Sequence, residues 1–186
     1  MQVDLNNVLT IRPEDPVLRQ PVEKFDFSKP QTDPIALAHQ LAETMLANNG
    51  IGLAANQCGL NYRVFVIKSN PIICCFNPII VDSSSDSAYM EEGCLSYPGL
   101  IVKIKRPTLI KVRYTQPNGE VVTDKFSGMT ARIFQHELSH LNGRVMFNAC
   151  SLLEKERAKK QWTKLKKAKQ IVCISTCTQF NLDTGK

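Results

Sequence analysis

Hydrophobic residues recur at helical spacing in three stretches of the chain. Residues 33–49 repeat apolar side chains every three or four positions, as do residues 127–141 and, more narrowly, residues 151–170. The first two stretches open on Asp33 and Ser127, polar residues that can each cap a helix. The pattern therefore predicts three helices. The apolar stripe of the third is formed by Ala158, Trp162, Leu165 and Ala168.

Between the first and second helices the chain contains short runs rich in β-branched and aromatic residues. These runs are residues 62–67, 72–81, 100–105, 108–115 and 120–126. Asn118-Gly119 separates the last two and predicts a hairpin, whereas the polar run 82–87 predicts a loop. Strands that cluster ahead of two late helices favour an α+β fold with a mainly antiparallel sheet. We expect these short strands to pack around a central helix over residues 127–141, with one helix N-terminal and one C-terminal to them.

Composition narrows the class of protein. The chain has 186 residues, 43% of them hydrophobic and 22% charged, which suits a globular protein. It has no run of about 18 apolar residues, so no membrane span is expected. Its start, Met1 to Leu5, lacks a basic leader and an apolar stretch, so no secretory signal is expected either. Seven cysteines, an odd number, indicate a reducing compartment and not a disulfide scaffold.

The positive charge lies at one end of the chain. Residues 154–169 contain eight basic residues against two acidic ones, which accounts for the whole net charge of +6. The sequence thus describes a neutral body with a basic C-terminal helix. A uniformly basic, sequence-specific nucleic-acid binder is not predicted.

The strongest chemical signal is His136-Glu137-Leu138-Ser139-His140. Residues four apart share a face of a helix, so both imidazoles can reach one metal ion. Glu137 projects nearby, where it can accept a proton from the attacking water. This makes the helix over residues 127–141 a metal-binding helix, although a short pattern of this kind also arises by chance.

A catalytic metal needs a third protein ligand. His39, the remaining histidine, lies in the first predicted helix and has the pattern of a surface residue. Cys94 is the better donor, because Gly93 before it lets the backbone pass close to a neighbour and a thiolate would complete the site. A lone cysteine is more often a small buried hydrophobe, and its role depends on the histidine helix.

Residues 50–57 form a third segment of interest. Two glycines give the backbone freedom to pair with an extended ligand, and the segment ends in Gln57, an amide that can donate to an oxyanion. Read alone, the segment is better explained as a helix end followed by a tight buried turn.

Taken together, residues 50–57, 92–96 and 135–140 resemble the peptide deformylase family. The three stretches match its Gly-x-Gly-x-Ala-x-x-Gln loop, its Glu-Gly-Cys-Leu-Ser turn and its Gln-His-Glu-x-x-His helix, in that order. The resemblance covers roughly residues 8–150. It implies a hydrolase that removes the N-formyl group from the initiator methionine of new polypeptides and releases formate.

The resemblance also assigns roles to individual residues. It implies Cys94, His136 and His140 as ligands of one divalent metal, Fe²⁺ first, with Zn²⁺, Ni²⁺ or Co²⁺ as alternatives. It implies Glu137 as the general base, and the Gln57 side chain with the Leu95 backbone N–H as oxyanion donors. Substrate contacts are expected from Gly50, Ile51, Gly52, Gly93, Met129 and Ile133. The chain departs from the family at Ser139, where Asp is frequent. It also departs at Tyr97, where an aliphatic residue is common, and we expect this position at the rim of the substrate site.

We divide the chain into a catalytic domain, residues 1–150, and a basic C-terminal helix and tail, residues 151–186. In bacterial relatives a basic C-terminal helix resembles a ribosome anchor, and the resemblance implies the same role here. The alternative is a solvated helix whose Trp162 and Leu165 pack on the body of the protein. The expected compartment is the cytoplasm of a bacterium, or of a bacterial host if the source is a virus.

Two other functions fit parts of the sequence. A zinc endopeptidase also uses His-Glu-x-x-His, but it usually takes a downstream ligand, and only Glu154 and Glu156 stand there. A non-enzymatic ribosome- or RNA-binding protein with a structural metal would explain the basic helix, but such a site has no need of Glu137.

Overall fold

The computed structural model describes residues 8–11 and 14–179. In that part of the chain the elements follow in this order: α1 (Pro34–Ala47), β1 (Gly52–Ala54), β2 (Val64–Ile67), β3 (Ile73–Ser83), β4 (Ser87–Gly93), β5 (Ile101–Pro107), β6 (Leu109–Thr115), β7 (Val121–Ser127), α2 (Gly128–Leu141) and α3 (Leu152–Gln179). Short 3₁₀ turns lie at Pro16–Arg19, Ala55–Cys58 and Met146–Asn148. None of the helices in these residues is long and apolar enough to cross a bilayer.

The strands form two antiparallel sheets. One has the order β1-β2-β3-β6-β7, and the other is the β4–β5 ribbon. Gly119 makes the predicted β6–β7 turn with a φ of 87°, in the left-handed region that glycine adopts freely. The α+β fold is therefore confirmed. The strands β1 and β4 were not predicted. The loop expected over residues 82–87 is shorter than predicted, because β3 runs to Ser83 and β4 begins at Ser87.

The larger sheet is covered by a helix on each side. Successive residues of β2 point to opposite faces, so Phe65 and Ile67 pack with Phe134 of α2 in a first core. Val64 and Val66 pack with residues of α1 in a second core. Because both faces are covered, β2 is buried along its whole length. A third core joins the β4–β5 ribbon to α3.

The two predicted caps behave differently. Asp33 precedes α1 and its side chain accepts a hydrogen bond from the Ile35 N–H at 2.9 Å. Ser127 stands at the N-cap of α2 as expected, but its side chain makes no capping hydrogen bond. At the other end of α2, Gly143 adopts a φ of 68°, which supplies the left-handed turn after the helix.

The third helix runs to Gln179, beyond the predicted end near residue 170. Ala158 and Trp162 are buried and Leu165 is half-buried, so this part of the predicted stripe packs on the body. Ala168 is exposed, and the stripe therefore ends one turn earlier than expected.

Candidate active site

Three predicted metal ligands come together. His136 and His140 lie one turn apart on α2, with ring centroids 5.1 Å apart. The Cys94 Sγ atom is 3.2 Å from His140 Nε2. One ligand atom of each residue lies within 4.8 Å of the other two. His39, by contrast, is exposed on α1, as predicted.

Cys94 is placed by a tight turn at the end of β4. The Tyr97 N–H donates to the Cys94 carbonyl at 2.9 Å, and the Leu100 N–H donates to the Tyr97 carbonyl at 3.0 Å. These bonds bring the thiol back towards α2 from a strand that belongs to the smaller sheet. The β4–β5 ribbon thus places Cys94 next to two histidines that lie far from it in sequence.

A buried carboxylate orients His136. Glu92 Oε2 lies 2.9 Å from His136 Nδ1, which leaves the other ring nitrogen for the ligand cluster. Arg106 binds both carboxylate oxygens at 2.7 and 2.9 Å, and Arg132 binds Oε1 at 3.0 Å. Burial alone would raise the pKa of Glu92, but Arg106 and His136 outweigh it and lower that pKa to about 2. The group is therefore an ionised anchor between two guanidinium groups.

The ligand atoms have the chemistry that a divalent transition metal prefers. Burial raises the pKa of the Cys94 thiol, yet the charge of His140 and hydrogen bonds from both histidines together hold that pKa well below its usual value. The cluster offers one sulfur and two ring nitrogens, and donors of these types suit Zn²⁺, Fe²⁺, Ni²⁺ or Co²⁺. Among the described residues, the buried Glu137 Oε2 beside them has no hydrogen-bond partner. The residues therefore fit a catalytic metal with a free carboxylate alongside.

Glu137 is packed against a glycine. Burial raises the pKa of its carboxyl group to about 7. A Cβ atom on Gly52 would collide with Glu137 Oε1 and would stand 2.6 Å from Ile133 Cγ2. Only glycine admits the carboxylate at this distance from β1, which gives Gly52 a role that its conformational freedom alone does not explain.

Gln57 is fixed beside the sulfur. Its Oε1 accepts from the Ala54 N–H at 2.9 Å, which orients the amide. Its Nε2 donates to Ser96 Oγ at 3.0 Å and lies 3.6 Å from Cys94 Sγ. A donor held in this way, next to the ligand cluster, can face a developing negative charge on a bound substrate.

These groups open onto a pocket of about 500 Å³. The walls include all of the residues predicted to contact substrate: Gly50, Ile51, Gly52, Gly93, Met129 and Ile133. Ile51 and Met129 are half-exposed at the rim, whereas Ile133 is buried. The mixture of apolar walls and a few polar groups is typical of a small-ligand site.

Tyr97 does not lie at this rim, so the expectation that position 97 forms part of the substrate rim is wrong. The residue is 1% exposed and its ring packs edge-on against Phe147 and Trp162 in the third core. The turn directs position 97 away from the pocket, while Leu95 and Pro98 line it. Ser139 donates to the Gln135 carbonyl and accepts from Arg106, so it contacts the site's support and not the ligand set.

The sequence alone did not reveal the residues that hold the candidate metal ligands in place. Glu92 lies within the recognised turn, but no role was given to it, and Arg106 and Arg132 were not singled out at all. Asn56 lies within the recognised loop of residues 50–57, but no role was given to it either; its Nδ2 donates to the His140 carbonyl at 2.8 Å. The available signal was the place of Glu92 two residues before the candidate ligand Cys94, since a charge that close to a buried site needs a partner.

An antiparallel α+β fold with a Cys/His/His cluster beside a buried glutamate is the architecture of a hydrolytic enzyme. Residues 8–156 match the family model described as polypeptide deformylase. Over 133 residues the chain is 43% identical to the peptide deformylase of Thermotoga neapolitana, which covers 69% of this chain and 78% of that one. The chain therefore belongs to the polypeptide deformylase family and is an enzyme of this type.

Solved structures agree with this membership. A peptide deformylase from Synechococcus elongatus in complex with actinonin superposes with a TM-score of 0.78 at 32% identity, covering 87% of this chain and 90% of that chain. The enzyme from Thermotoga maritima gives a TM-score of 0.69 at 39% identity, with coverages of 77% and 98%. These likenesses favour neither a zinc endopeptidase nor a non-enzymatic binding protein.

Proposed function

We propose that this chain hydrolyses the N-formyl group of formyl-methionine at the start of nascent polypeptides and releases formate. The observation that carries the proposal is the convergence of Cys94, His136 and His140 beside the unpartnered Glu137 carboxylate, at the base of an apolar pocket. The family of the chain supports the reaction, and the actinonin complex of the Synechococcus relative supports a ligand site of this kind.

Cys94, His136 and His140 would hold one divalent ion, with Fe²⁺ as our first choice and Zn²⁺, Ni²⁺ or Co²⁺ as alternatives. Such an ion, when bound, acidifies water and polarises a carbonyl oxygen. Glu92 fixes the orientation of the His136 ring for this purpose. The Asn56 side chain donates a hydrogen bond to the His140 backbone carbonyl and so holds that residue in place.

Glu137 would move the protons. Its carboxylate accepts a proton from the attacking water and passes it to the amine nitrogen, because an amine cannot leave well as an anion. Gln57 Nε2 and the Leu95 backbone N–H would donate to the oxygen of the tetrahedral intermediate. Loss of one such donor typically costs about 10²–10³ in rate.

The pocket walls would bind the methionine. Ile133 lies deepest, and Ile51 and Met129 form the rim, so an apolar side chain would be enclosed between them. Among the described residues, β1 pairs only with β2 and β4 only with β5, which leaves one edge of each for a peptide. Gly52 and Gly93 belong to these strands and Gly50 lies just before β1, and all three would hold the substrate backbone as an added strand.

Paired peptide assays test this proposal. The purified protein, loaded anaerobically with Fe²⁺ and in parallel with Zn²⁺, is incubated with formyl-Met-Ala-Ser and with unformylated Met-Ala-Ser-containing peptides. We expect formate from the formylated peptide only, with the peptide bonds intact. Internal cleavage without formate would support an endopeptidase instead.

Glu137→Gln in the same metal form should lose nearly all formate release, and equal activity would refute its role as base.

We further propose that residues 1–150 form the catalytic domain and that the basic C-terminal helix and tail, residues 151–186, contact the ribosome in a bacterial or host cytoplasm. The exposed lysines of α3 support this, since phosphate backbones attract such a face. Lys160, Lys164 and Lys167 share one exposed face, so Lys→Glu changes there test it without disturbing the packed side. We expect the triple variant to lose ribosome co-pelleting at low salt; unchanged pelleting would remove the anchor role.

A further inference from the structure

The packed face of α3 lies directly behind the turn that carries Cys94. We call residues 94–99 the sulfur turn. Its Tyr97 ring packs edge-on against Trp162 of α3, with ring centroids 5.4 Å apart. Leu165, one turn further along α3, lies beside Gly99. The helix therefore forms the wall on which the sulfur turn rests.

The front of the same turn faces the reaction. Cys94 supplies the candidate sulfur ligand, and Leu95, Pro98 and Gly99 line the pocket. The Tyr97 N–H is bonded to the Cys94 carbonyl at 2.9 Å, so the positions of the buried ring and of the cysteine backbone are set together. A shift of the ring into space left behind it would move the sulfur and the Leu95 N–H with it.

Trp162 is itself held firmly. Its indole is 7% exposed, and Nε1 donates to Glu14 Oε1 at 2.7 Å. Lys166 Nζ lies 3.3 Å from the same carboxylate and reinforces the contact. Tryptophan thus provides a large rigid ring against Tyr97 and a polar edge that fixes its own orientation.

We propose that Trp162 is a positioning residue for the Cys94 ligand, acting through Tyr97. This inference rests on the proposed function, because it concerns the metal that Cys94 would help to hold. Loss of a partner that hydrogen-bonds a metal ligand typically changes metal affinity or activity by about 10–100-fold, and Trp162, which acts one contact further away, should lie at the lower end, about tenfold. Removal of the indole should therefore weaken metal binding and alter sulfur ligation, although Trp162 touches neither pocket nor ligand.

The test compares Trp162→Ala with Trp162→Phe in the full-length protein. Zn²⁺ affinity is measured by equilibrium dialysis, and Co²⁺-loaded samples are measured by absorption, where the thiolate-to-cobalt charge-transfer band reports the sulfur ligand. For Trp162→Ala we expect about tenfold weaker Zn²⁺ binding, a weakened band and a lower kcat for formyl-Met-Ala-Ser. Trp162→Phe should recover most of each, because it keeps a ring against Tyr97 and loses only the bond to Glu14.

Phe25→Ala is the matched control. Its ring is also buried, but it packs edge-on with Phe27, Tyr62 and Phe76, none of which lines the pocket. It should lower the unfolding temperature and leave the cobalt band and Zn²⁺ affinity unchanged. A merely structural role of Trp162 predicts that Trp162→Ala behaves in the same way, and that result overturns the proposal.

Two further outcomes are informative. If Trp162→Ala does not fold, Trp162→Leu takes its place, since it retains apolar volume but no ring edge for Tyr97; unchanged affinity and spectrum in that variant overturn the proposal. If the unsubstituted protein shows no thiolate band with Co²⁺, both this inference and the proposed metal site fail. An intact band without formate release contradicts the proposed reaction alone.

Discussion

Glu137 occupies a space that only a glycine neighbour leaves open. The Cβ of an alanine at position 52 would overlap the carboxylate and crowd Ile133 at 2.6 Å. The side chain is buried and its Oε2 has no hydrogen-bond partner among the described residues. No hydrogen bond to Oε2 would therefore resist its displacement by an added Cβ atom. Gly52 therefore controls the position of the proposed base.

Gly52→Ala should accordingly reduce kcat for formyl-Met-Ala-Ser about 10²-fold, the loss expected when a reacting group moves by about 1 Å. Metal content should stay near that of the unsubstituted protein, because the atoms nearest to a Cβ at position 52 belong to Glu137 and Ile133 and not to a ligand. The measurement is steady-state kinetics alongside metal analysis. Wild-type kcat in a fully metal-loaded variant would show that Glu137 is not constrained by this contact.

Glu92 is the residue whose loss should damage both stability and the site. Its carboxylate balances Arg106 and Arg132, and all three side chains are nearly inaccessible to solvent. Glu92→Gln leaves two buried guanidinium groups without a counter-charge, which we expect to lower the free energy of unfolding by about 3 kcal/mol. Metal affinity should fall at least about tenfold, since His136 loses its ionised partner.

Urea unfolding and metal dialysis measure these two effects, and Glu156→Gln is the control. Glu156 pairs with Lys159 at 2.9 Å on the open surface of α3, so its loss should leave unfolding and metal binding unchanged. If Glu92→Gln matches this control, the buried network does not support the site.

At the scale of elements, the helix boundaries show what local sequence determines. Asp33 caps α1 through its side chain, whereas Ser127 occupies the same position before α2 without a bond. Residue type identified both boundaries, but the chain direction on entry decides whether the side chain reaches the backbone. Runs of β-branched and aromatic residues likewise predicted β5, β6 and β7, and in each of these strands every second residue turns inward.

Asp33→Ala should therefore cost about 1 kcal/mol of unfolding free energy, and Ser127→Ala should cost much less. Both residues precede a helix of fourteen residues, so each serves as the other's reference in chemical denaturation. An equal loss for the two variants would mean that Ser127 caps α2 in solution after all.

The missed elements have a common physical cause. The inward positions of β4 are Ala88, Met90 and the charged Glu92, so the strand lacks the apolar alternation that marks a half-buried strand. Its stability comes from pairing with β5 and from the buried ion pairs, which depend on residues distant in sequence. The strand β1 has only three residues, too few to show any period.

At the scale of the whole molecule, the site lies where the three cores meet. The histidine helix α2 packs in the first core, Leu95 packs against the second, and Cys94 packs against the third. The sequence motifs named most of the reacting groups, since each motif is local. They gave no supporting role to Arg106 or Trp162, because these residues approach the site only through tertiary packing.

A metal bound between three cores should stabilise the whole fold. With free ion at about 100 times its dissociation constant, the gain is about 2.7 kcal/mol. Removal of the metal by a chelator should lower the unfolding temperature and abolish formate release, and both should return when Fe²⁺ or Zn²⁺ is restored. Unfolding that is insensitive to chelation, in a protein shown to have carried metal, would place that metal outside the core junction.

The central claim is that Cys94, His136 and His140 bind one ion together. X-ray absorption at the zinc edge of the Zn²⁺-loaded, full-length protein tests it most directly. We predict one sulfur at about 2.3 Å and two imidazole nitrogens at about 2.0–2.1 Å, with the sulfur contribution lost in Cys94→Ser. A first shell of nitrogen and oxygen alone in the unsubstituted protein would contradict the account.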